Sequence, residues 1–226
     1  MLLAEDLLLL VTNDASGRLS VPSSQADAGL GGANLLELTL LGKVDVSGPQ
    51  DPGKPGRVVV RDPSPAGDEV LDAALQLLIA QQGKKPSAVI RPLGKNLRPA
   101  LYQRLAASGV LHAAKGRVLG IFPVRTWPAQ DPGHEAGVRE QVTQALIQPG
   151  TPDQRTAALI SLLHALKCEH KVVDPRSGGL SRRQLRARAG EIAQGNWASD
   201  AVRKAIDEMV AAVASASAAA AAASSG

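Results

Sequence analysis

Apolar residues recur at helical spacing along most of the chain. In the segment 68–82 they lie three and four residues apart, and in the segment 155–166 they surround the helix almost completely. The first pattern is typical of a helix that packs on one face, and the second of a helix at the centre of a bundle. The sequence therefore predicts a mainly α fold, with a buried helical bundle surrounded by amphipathic helices.

Capping signals mark the other predicted helices. An apolar helix is predicted over Leu2–Thr12, a second over Ala33–Leu41 that ends at Gly42, and a third over Leu97–Ala107 with Asn96 as N-cap. Later helices are predicted to start at four further signals: Asp131-Pro132, Thr151–Gln154, Ser181 and Ser199.

Two β-hairpins are predicted between the helices. Lys43–Val46 and Arg57–Arg61 flank a loop rich in proline and glycine. Val110–His112 and Arg117–Phe122 are predicted to form the second hairpin, with its turn at Lys115-Gly116 and its end at Trp127-Pro128.

The second hairpin is also a predicted oligomerisation element. An apolar strand at the edge of a hairpin must be covered if it is not to aggregate. We therefore predict that the chain forms a homo-oligomer through four residues of this hairpin: Val118, Leu119, Ile121 and Phe122.

Composition narrows this picture. Hydrophobic residues make up 44% of the 226 residues and aromatic residues 2%, so the core must be built from Leu, Val, Ile and Ala. The length suits one domain, predicted at residues 1–213, followed by an Ala/Ser-rich tail at 214–226 that we interpret as a frayed helical end.

Charge and cysteine content indicate a partner and a compartment. The net charge of +4 and a pI near 9.5 favour an acidic partner such as membrane lipid or nucleic acid. Cys168 is a single cysteine, which is typical of a reducing compartment. The start of the chain carries Glu5 and Asp6 where a signal peptide needs positive charge, so we expect a cytoplasmic protein that meets the membrane peripherally, at its cytoplasmic face.

No catalytic constellation emerges from the sequence. Phosphate-loop, dinucleotide and nucleophile-elbow patterns are absent. His164 and Cys168 are four residues apart and could hold half a metal site, but no second pair at ligand spacing is visible, so a packed histidine and an inert buried thiol are the interpretation. We predict a protein with no catalytic residues, no metal and no cofactor, which is not an enzyme.

Two cations lie at the predicted start of the Asn96 helix. A helix N-terminus already carries partial positive charge, so Lys95 and Arg98 are unfavourable there unless an anion is bound. Arg91 lies shortly upstream. The pattern predicts a phosphate or lipid-headgroup site at Lys95, Arg98 and Arg91. The alternative is a solvated basic loop, or a local ion pair with an acid from elsewhere in the fold.

The order of these elements resembles the Golgi phosphoprotein 3 family, from Leu2 to about Val213. Four segments carry the resemblance: Gly29–Leu38, the helix 96–107 with Ser108–Leu111 after it, the hairpin into Trp127-Pro128, and Arg155–Ala165. The Ala- and Arg-rich composition is similar to that of bacterial members. The resemblance implies a mainly helical fold and a hairpin that mediates self-association.

The resemblance also implies a function. Eukaryotic members are peripheral membrane proteins that bind phosphatidylinositol 4-phosphate through a tryptophan and several arginines and retain glycosyltransferases in the Golgi. The implied partners are anionic membrane lipid and cytosolic segments of membrane proteins. Because the chain begins at the family's domain, we expect no role through coat proteins.

The family's headgroup pocket carries over only in part. Two of its arginines fall on Lys95 and Arg98, whereas its tryptophan falls near Pro22 and a further arginine on Gly31. We therefore expect anion binding with little discrimination among headgroups.

A nucleic-acid-binding regulator is the alternative function. The helix ending at Gly109 and the hairpin after it could form a winged-helix module, and the basic helix Arg182–Arg188 could contact phosphates. Pro86 and Pro92 count against it, because such a module needs another helix directly before the recognition helix.

Overall fold

Most of the chain folds into helices. The computed structural model of the chain describes residues 1–118, 122–194, 211 and 213–215, and for residues 115–118 and 122–124 it describes the backbone alone. The mainly α prediction is confirmed. Within these residues the α-helices are α1 (Leu3–Leu10), α2 (Ser23–Leu40), α3 (Glu69–Ala80), α4 (Pro86–Gly94), α5 (Leu97–Ala107), α6 (Gly133–Ile147), α7 (Gln154–Ala165), α8 (Glu169–Val172) and α9 (Arg182–Ala193).

Between the helices, short strands form three antiparallel pairs within the described residues. The pairs are β1 (Thr12–Asn13) with β2 (Arg18–Leu19), β3 (Val44–Val46) with β4 (Val58–Val60), and β5 (Ala114–Val118) with β6 (Phe122–Thr126). The β3–β4 pair confirms the first predicted hairpin.

The centre of the molecule is built by α1, α2 and α7. Every residue of α1 is buried, and α7 is buried on nearly all sides. The largest fully enclosed side chains are almost all leucines, including Leu8, Leu30 and Leu101. Burying a leucine side chain contributes roughly 1.5–3 kcal/mol, so a core with few aromatic residues is held by the number of its aliphatic contacts.

Helix α2 begins ten residues earlier than predicted. Glycines at 29, 31 and 32 make its first half look unsuited to a helix, but Gly31 lets the backbone of α4 approach closely. A Cβ on Gly31 would lie 2.2 Å from the Ile90 carbonyl oxygen, and one on Gly94 would lie 2.0 Å from the Asp27 carbonyl oxygen. The two backbones touch here, so tertiary packing offsets the poor helix propensity of glycine.

Helix α4 was not predicted from the sequence, because it contains two prolines. Pro86 lies in its first turn, where the missing N–H has no intrahelical partner to lose, and Pro92 is followed by only two more helical residues. The expectation that these prolines prevent a helix before Asn96 is therefore wrong. Asn96 adopts a left-handed backbone between α4 and α5, and its side chain makes no capping hydrogen bond.

Buried acidic side chains of α1 pair with half-buried arginines from distant segments. Asp6 accepts a hydrogen bond of 2.6 Å from Arg155, and Arg155 also donates to Glu37 at 3.1 Å. Glu5 pairs with Arg104 at 2.9 Å. Each buried carboxylate has a cationic partner, which is the condition for keeping charge inside a helical core. These pairs tie α1 to α2, α5 and α7.

The β5–β6 hairpin exists, but its turn is not where the sequence predicts it. Lys115 and Gly116 pair with Arg125 and Val124 inside the ladder, so they do not form the turn. The reason is the register at the base of the hairpin. Leu111 forms a bridge with Ala129 that extends the same ladder, and this fixes the pairing of the two strands.

The predicted oligomerisation residues are described only in part. Val118 and Phe122 face each other as a backbone pair at the end of the ladder. Leu119 and Ile121 lie outside the described residues, as do the helix predicted from Ser199 up to Met209 and most of the Ala/Ser tail. Self-association through this hairpin stays a prediction.

Candidate functional site

The β1–β2 turn, α5 and the end of β6 enclose an open cavity of about 520 Å³, which we call the arginine cavity. Gly17 holds the turn against β6. It has a φ of +61°, and its carbonyl accepts a 3.0 Å hydrogen bond from the Trp127 N–H. A Cβ at this position would lie 2.2 Å from the Trp127 nitrogen, so only glycine allows the approach. The lining residues that matter for chemistry are Arg18, Pro22, Arg98, Tyr102, Arg125 and Trp127.

Two stacked aromatic rings form one wall of the arginine cavity. The rings of Tyr102 and Trp127 lie 5.1 Å apart with an interplanar angle of 6°, and both residues are buried. The Tyr102 hydroxyl and the Thr12 hydroxyl share a 2.9 Å hydrogen bond, and burial raises the pKa of the phenol. The wall is therefore rigid and neutral.

Three arginines, Arg18, Arg98 and Arg125, line the same cavity. Arg125 lies over the Trp127 ring at 5.8 Å from the ring centroid, which is within the range of a cation–π contact. Arg18 is exposed at the start of β2. Among the described residues, no acidic side chain lines the arginine cavity, so Arg18 and Arg125 make it positive.

Arg98 is held by an ion pair. Its Nε donates a 2.8 Å hydrogen bond to the Asp27 carboxylate, and its side chain is 26% exposed. The local ion pair that we considered as the alternative for this cation is thus present. This hydrogen bond to Asp27 uses Nε alone. Within the described residues, the two Nη groups of Arg98 are therefore available to donate hydrogen bonds to a ligand.

The structure does not bring the three predicted anion-binding residues into one cavity. Arg98 lines the arginine cavity, but Lys95 lines a second cavity on the other side of the α4–α5 junction. Arg91 is exposed on α4 and does not line the arginine cavity.

Positions carried over from the family's pocket also divide into two groups. Pro22 lines the arginine cavity beside Arg98. Gly31 is buried between α2 and α4, where a Cβ has no room, so this position cannot present an arginine without moving α4.

Arg18 and Arg125 were missed by sequence reasoning. Each stands alone in its segment, and neither is near the Asn96 helix in sequence. Two weak sequence features could have indicated these residues as site candidates. Arg18 directly follows a turn glycine, Gly17, and Arg125 lies two residues before Trp127. Only the contact between the β1–β2 turn and β6 brings them together.

The His164 and Cys168 pair does not form half a metal site. Helix α7 ends at Ala165, so Cys168 leaves the helix face that spacing predicted. His164 is bonded at 2.8 Å to the Glu169 carboxylate, and burial raises the pKa of the Cys168 thiol to about 12. Across the residues that the structure describes, no group of three His, Cys, Asp or Glu side chains is placed to hold a metal ion.

Two further findings bear on function. No helix in the described ranges combines the length and the apolar composition needed to cross a bilayer. A comparison with models of protein families finds a match over residues 3–209 to the model described as Golgi phosphoprotein 3 (GPP34).

Proposed function

Because the chain belongs to the Golgi phosphoprotein 3 family, we propose that it is a peripheral membrane protein that binds anionic phosphorylated lipid headgroups in the arginine cavity. The observation that carries this proposal is the convergence of Arg18, Arg98 and Arg125 on one open cavity. A guanidinium presents a planar fork of N–H donors that matches two oxygens of a phosphate. Phosphatidylinositol 4-phosphate is the headgroup that we propose to test first.

Preorganisation favours binding in this cavity over binding to scattered surface cations. Asp27 fixes the guanidinium of Arg98, and the Trp127 ring supports that of Arg125. A side chain that is already ordered loses less conformational entropy when the ligand arrives, and each ordered long side chain otherwise costs about 0.5–1.5 kcal/mol.

Lys95 and Arg91 have a different role in this proposal. Both are exposed near the α4–α5 junction, outside the arginine cavity. A cation near an anionic membrane contributes about 1 kcal/mol, and the attraction fades within a Debye length. We assign them to long-range attraction of the membrane surface, with the headgroup itself bound by the arginine cavity.

The same proposal describes a binding protein and not an enzyme. A thiol with a pKa of about 12 is protonated at neutral pH and is a poor nucleophile, which removes Cys168 as a catalytic candidate. We propose an adaptor role in which the membrane-bound protein contacts cytosolic segments of membrane proteins on another face.

The test compares two triple variants with equal loss of charge. Arg18→Gln/Arg98→Gln/Arg125→Gln removes the cavity cations, and Arg182→Gln/Arg183→Gln/Arg186→Gln removes three exposed cations from α9. Co-sedimentation is measured with vesicles containing phosphatidylinositol 4-phosphate, and with phosphatidylserine vesicles of equal charge. At roughly 1 kcal/mol per cation, the cavity variant should lose more than about tenfold in binding.

The α9 variant is the control, and we expect it to bind nearly as well as the wild type. Equal losses in both variants would mean that net charge alone drives binding and would remove the arginine cavity as the site. Equal wild-type binding to the two vesicle types would leave a general anion site without recognition of the inositol headgroup.

A further inference from the structure

A second cavity lies between α3 and the junction of α4 with α5. It has a volume of about 310 Å³, and we call it the Asn34 groove. Its walls are mainly apolar side chains: Val70, Ala73, Leu77, Pro92, Leu97 and Ala100. The exposed residues Glu69 and Lys95 stand at its rim with opposite charges. The groove is separate from the arginine cavity and shares no lining residue with it.

A buried polar group without a partner lies in this groove. Asn34 projects from α2, is 2% exposed, and its Oδ1 accepts no hydrogen bond from the described residues. A buried acceptor without a donor costs roughly 1–3 kcal/mol. On the same helix, the buried Thr39 hydroxyl is satisfied, because it donates to the Leu35 carbonyl at 2.9 Å. A function for the unpaired Asn34 Oδ1, such as binding a ligand, would explain why this cost is kept.

We propose that the Asn34 groove binds a small, mainly apolar molecule that carries one neutral hydrogen-bond donor, a hydroxyl or an amide N–H. The donor satisfies Asn34 Oδ1, and the apolar body packs against the walls. A charged donor is disfavoured, because the free energy of removing a charge from water into an apolar site is much larger than the stabilisation from one hydrogen bond. The terminal torsion of asparagine is soft, so the amide can turn its oxygen toward the ligand.

The size of the groove agrees with this class of ligand. Sites for small molecules are typically 300–1,000 Å³, mostly apolar and supplied with a few polar groups that fix orientation. At about 310 Å³ the Asn34 groove is at the lower end of that range. This inference is independent of the proposed lipid-headgroup site, because neither depends on the other's residues.

The test uses two isomers that differ in their donor. Hexan-1-ol carries a hydroxyl, and methyl pentyl ether has the same atoms but no donor. Each is titrated into ¹⁵N-labelled protein, and amide shifts of α3 and α5 are followed. One net hydrogen bond is worth about 0.5–1.5 kcal/mol, so the alcohol should bind about twofold to tenfold more tightly.

Three variants locate the binding. Asn34→Leu removes the acceptor while keeping similar volume, so it should abolish the preference for the alcohol and raise the melting temperature of the free protein. Ala73→Trp fills the groove and should abolish binding of both isomers, whereas Ala80→Trp, on the same helix but outside the groove, should not.

Three results would overturn the proposal. One is equal binding of the two isomers by the wild type, and another is the absence of shifts in α3 and α5. The third is a lower melting temperature of Asn34→Leu, which would show that the amide is satisfied in the free protein, for example by a bound water.

Discussion

At the scale of single residues, Glu135 is a buried carboxyl whose surroundings favour its neutral form. It lies in the first turn of α6, is 3% exposed, and is paired with Arg139. Burial, together with the neighbouring Asp14 carboxyl, raises the pKa of Glu135 to about 7 against the opposing effect of Arg139.

This raised pKa predicts a pH-dependent stability. A carboxyl whose pKa is raised on folding favours the folded state below its ordinary pKa of 4.5, and that contribution is lost as the pH rises through about 7. Glu135→Gln stays neutral at every pH. Its melting temperature should therefore exceed that of the wild type by an increasing margin from pH 5 to pH 8.5, on the order of 5 °C at the upper end.

Differential scanning calorimetry of both proteins across this pH range is the measurement. A margin that is constant with pH would mean that Glu135 is ionised throughout and that its pKa is not raised.

At the scale of elements, sequence reasoning succeeded where local signals and packing agree. Helix α3 matches its apolar stripe, and its N-cap Asp68 accepts a hydrogen bond from the Val70 N–H. Helix α9 begins after Ser181, the predicted N-cap, and its capping box with Gln184 is complete. In these helices the cap and the apolar face specify the same boundaries, so no tertiary information was needed.

The elements that were missed depend on contacts between distant segments. The first half of α2 and all of α4 contain glycines and prolines that lower helix propensity, and each helix is stable because the other packs on it. The arginine cavity could not be predicted for the same reason. Arg98 was found from its own helix, but Arg18 and Arg125 reach it only through the contact between Gly17 and Trp127.

The presence of α4 directly before α5 bears on the nucleic-acid alternative. The order of helix, short connection, helix and hairpin is the order of a winged-helix module. A recognition helix needs cations on its exposed face. The exposed residues of α5 are Pro99, Ala100, Gln103 and Ala107, and Arg104 is engaged by Glu5 and Asp68. The other cation of α5, Arg98, lines the arginine cavity and is paired with Asp27. Both arginines of α5 are therefore held by carboxylates, which disfavours duplex binding through this helix alone.

The β5–β6 hairpin carries the prediction of self-association. Val118 and Phe122 end the ladder as a cross-strand pair, so aspartates at both positions place two like charges side by side in any interface formed there. Light scattering over a concentration series should report an oligomer for the wild type and a smaller mass for Val118→Asp/Phe122→Asp, with the melting temperature of the protomer changed little.

A matched control is Ile79→Asp, which places a charge on an exposed apolar residue of α3. It should leave the oligomer intact. A wild type that stays monomeric at every concentration would contradict the prediction, and so would an equal loss of mass in the Ile79 variant.

At the scale of the whole molecule, the core carboxylates and the arginine cavity differ in how their charges are paired. Buried carboxylates of α1 and α2 are neutralised by arginines that tie the helices together, as Arg155 does for Asp6 and Glu37. The arginine cavity has no acidic residue among its described lining, and Asp27 beside it pairs with Arg98. Its positive charge therefore comes mainly from Arg18 and Arg125, and this is the charge that our proposal assigns to contact with an anionic membrane.

Binding of the wild-type protein to anionic vesicles and to duplex DNA, at matched salt concentrations, tests the central claim most directly. The vesicles contain phosphatidylinositol 4-phosphate, and the duplex is a mixed-sequence fragment at equal phosphate concentration. We predict binding to the vesicles that weakens as salt shortens the Debye length, together with much weaker binding to the duplex. Tight duplex binding with no attachment to vesicles would contradict the account.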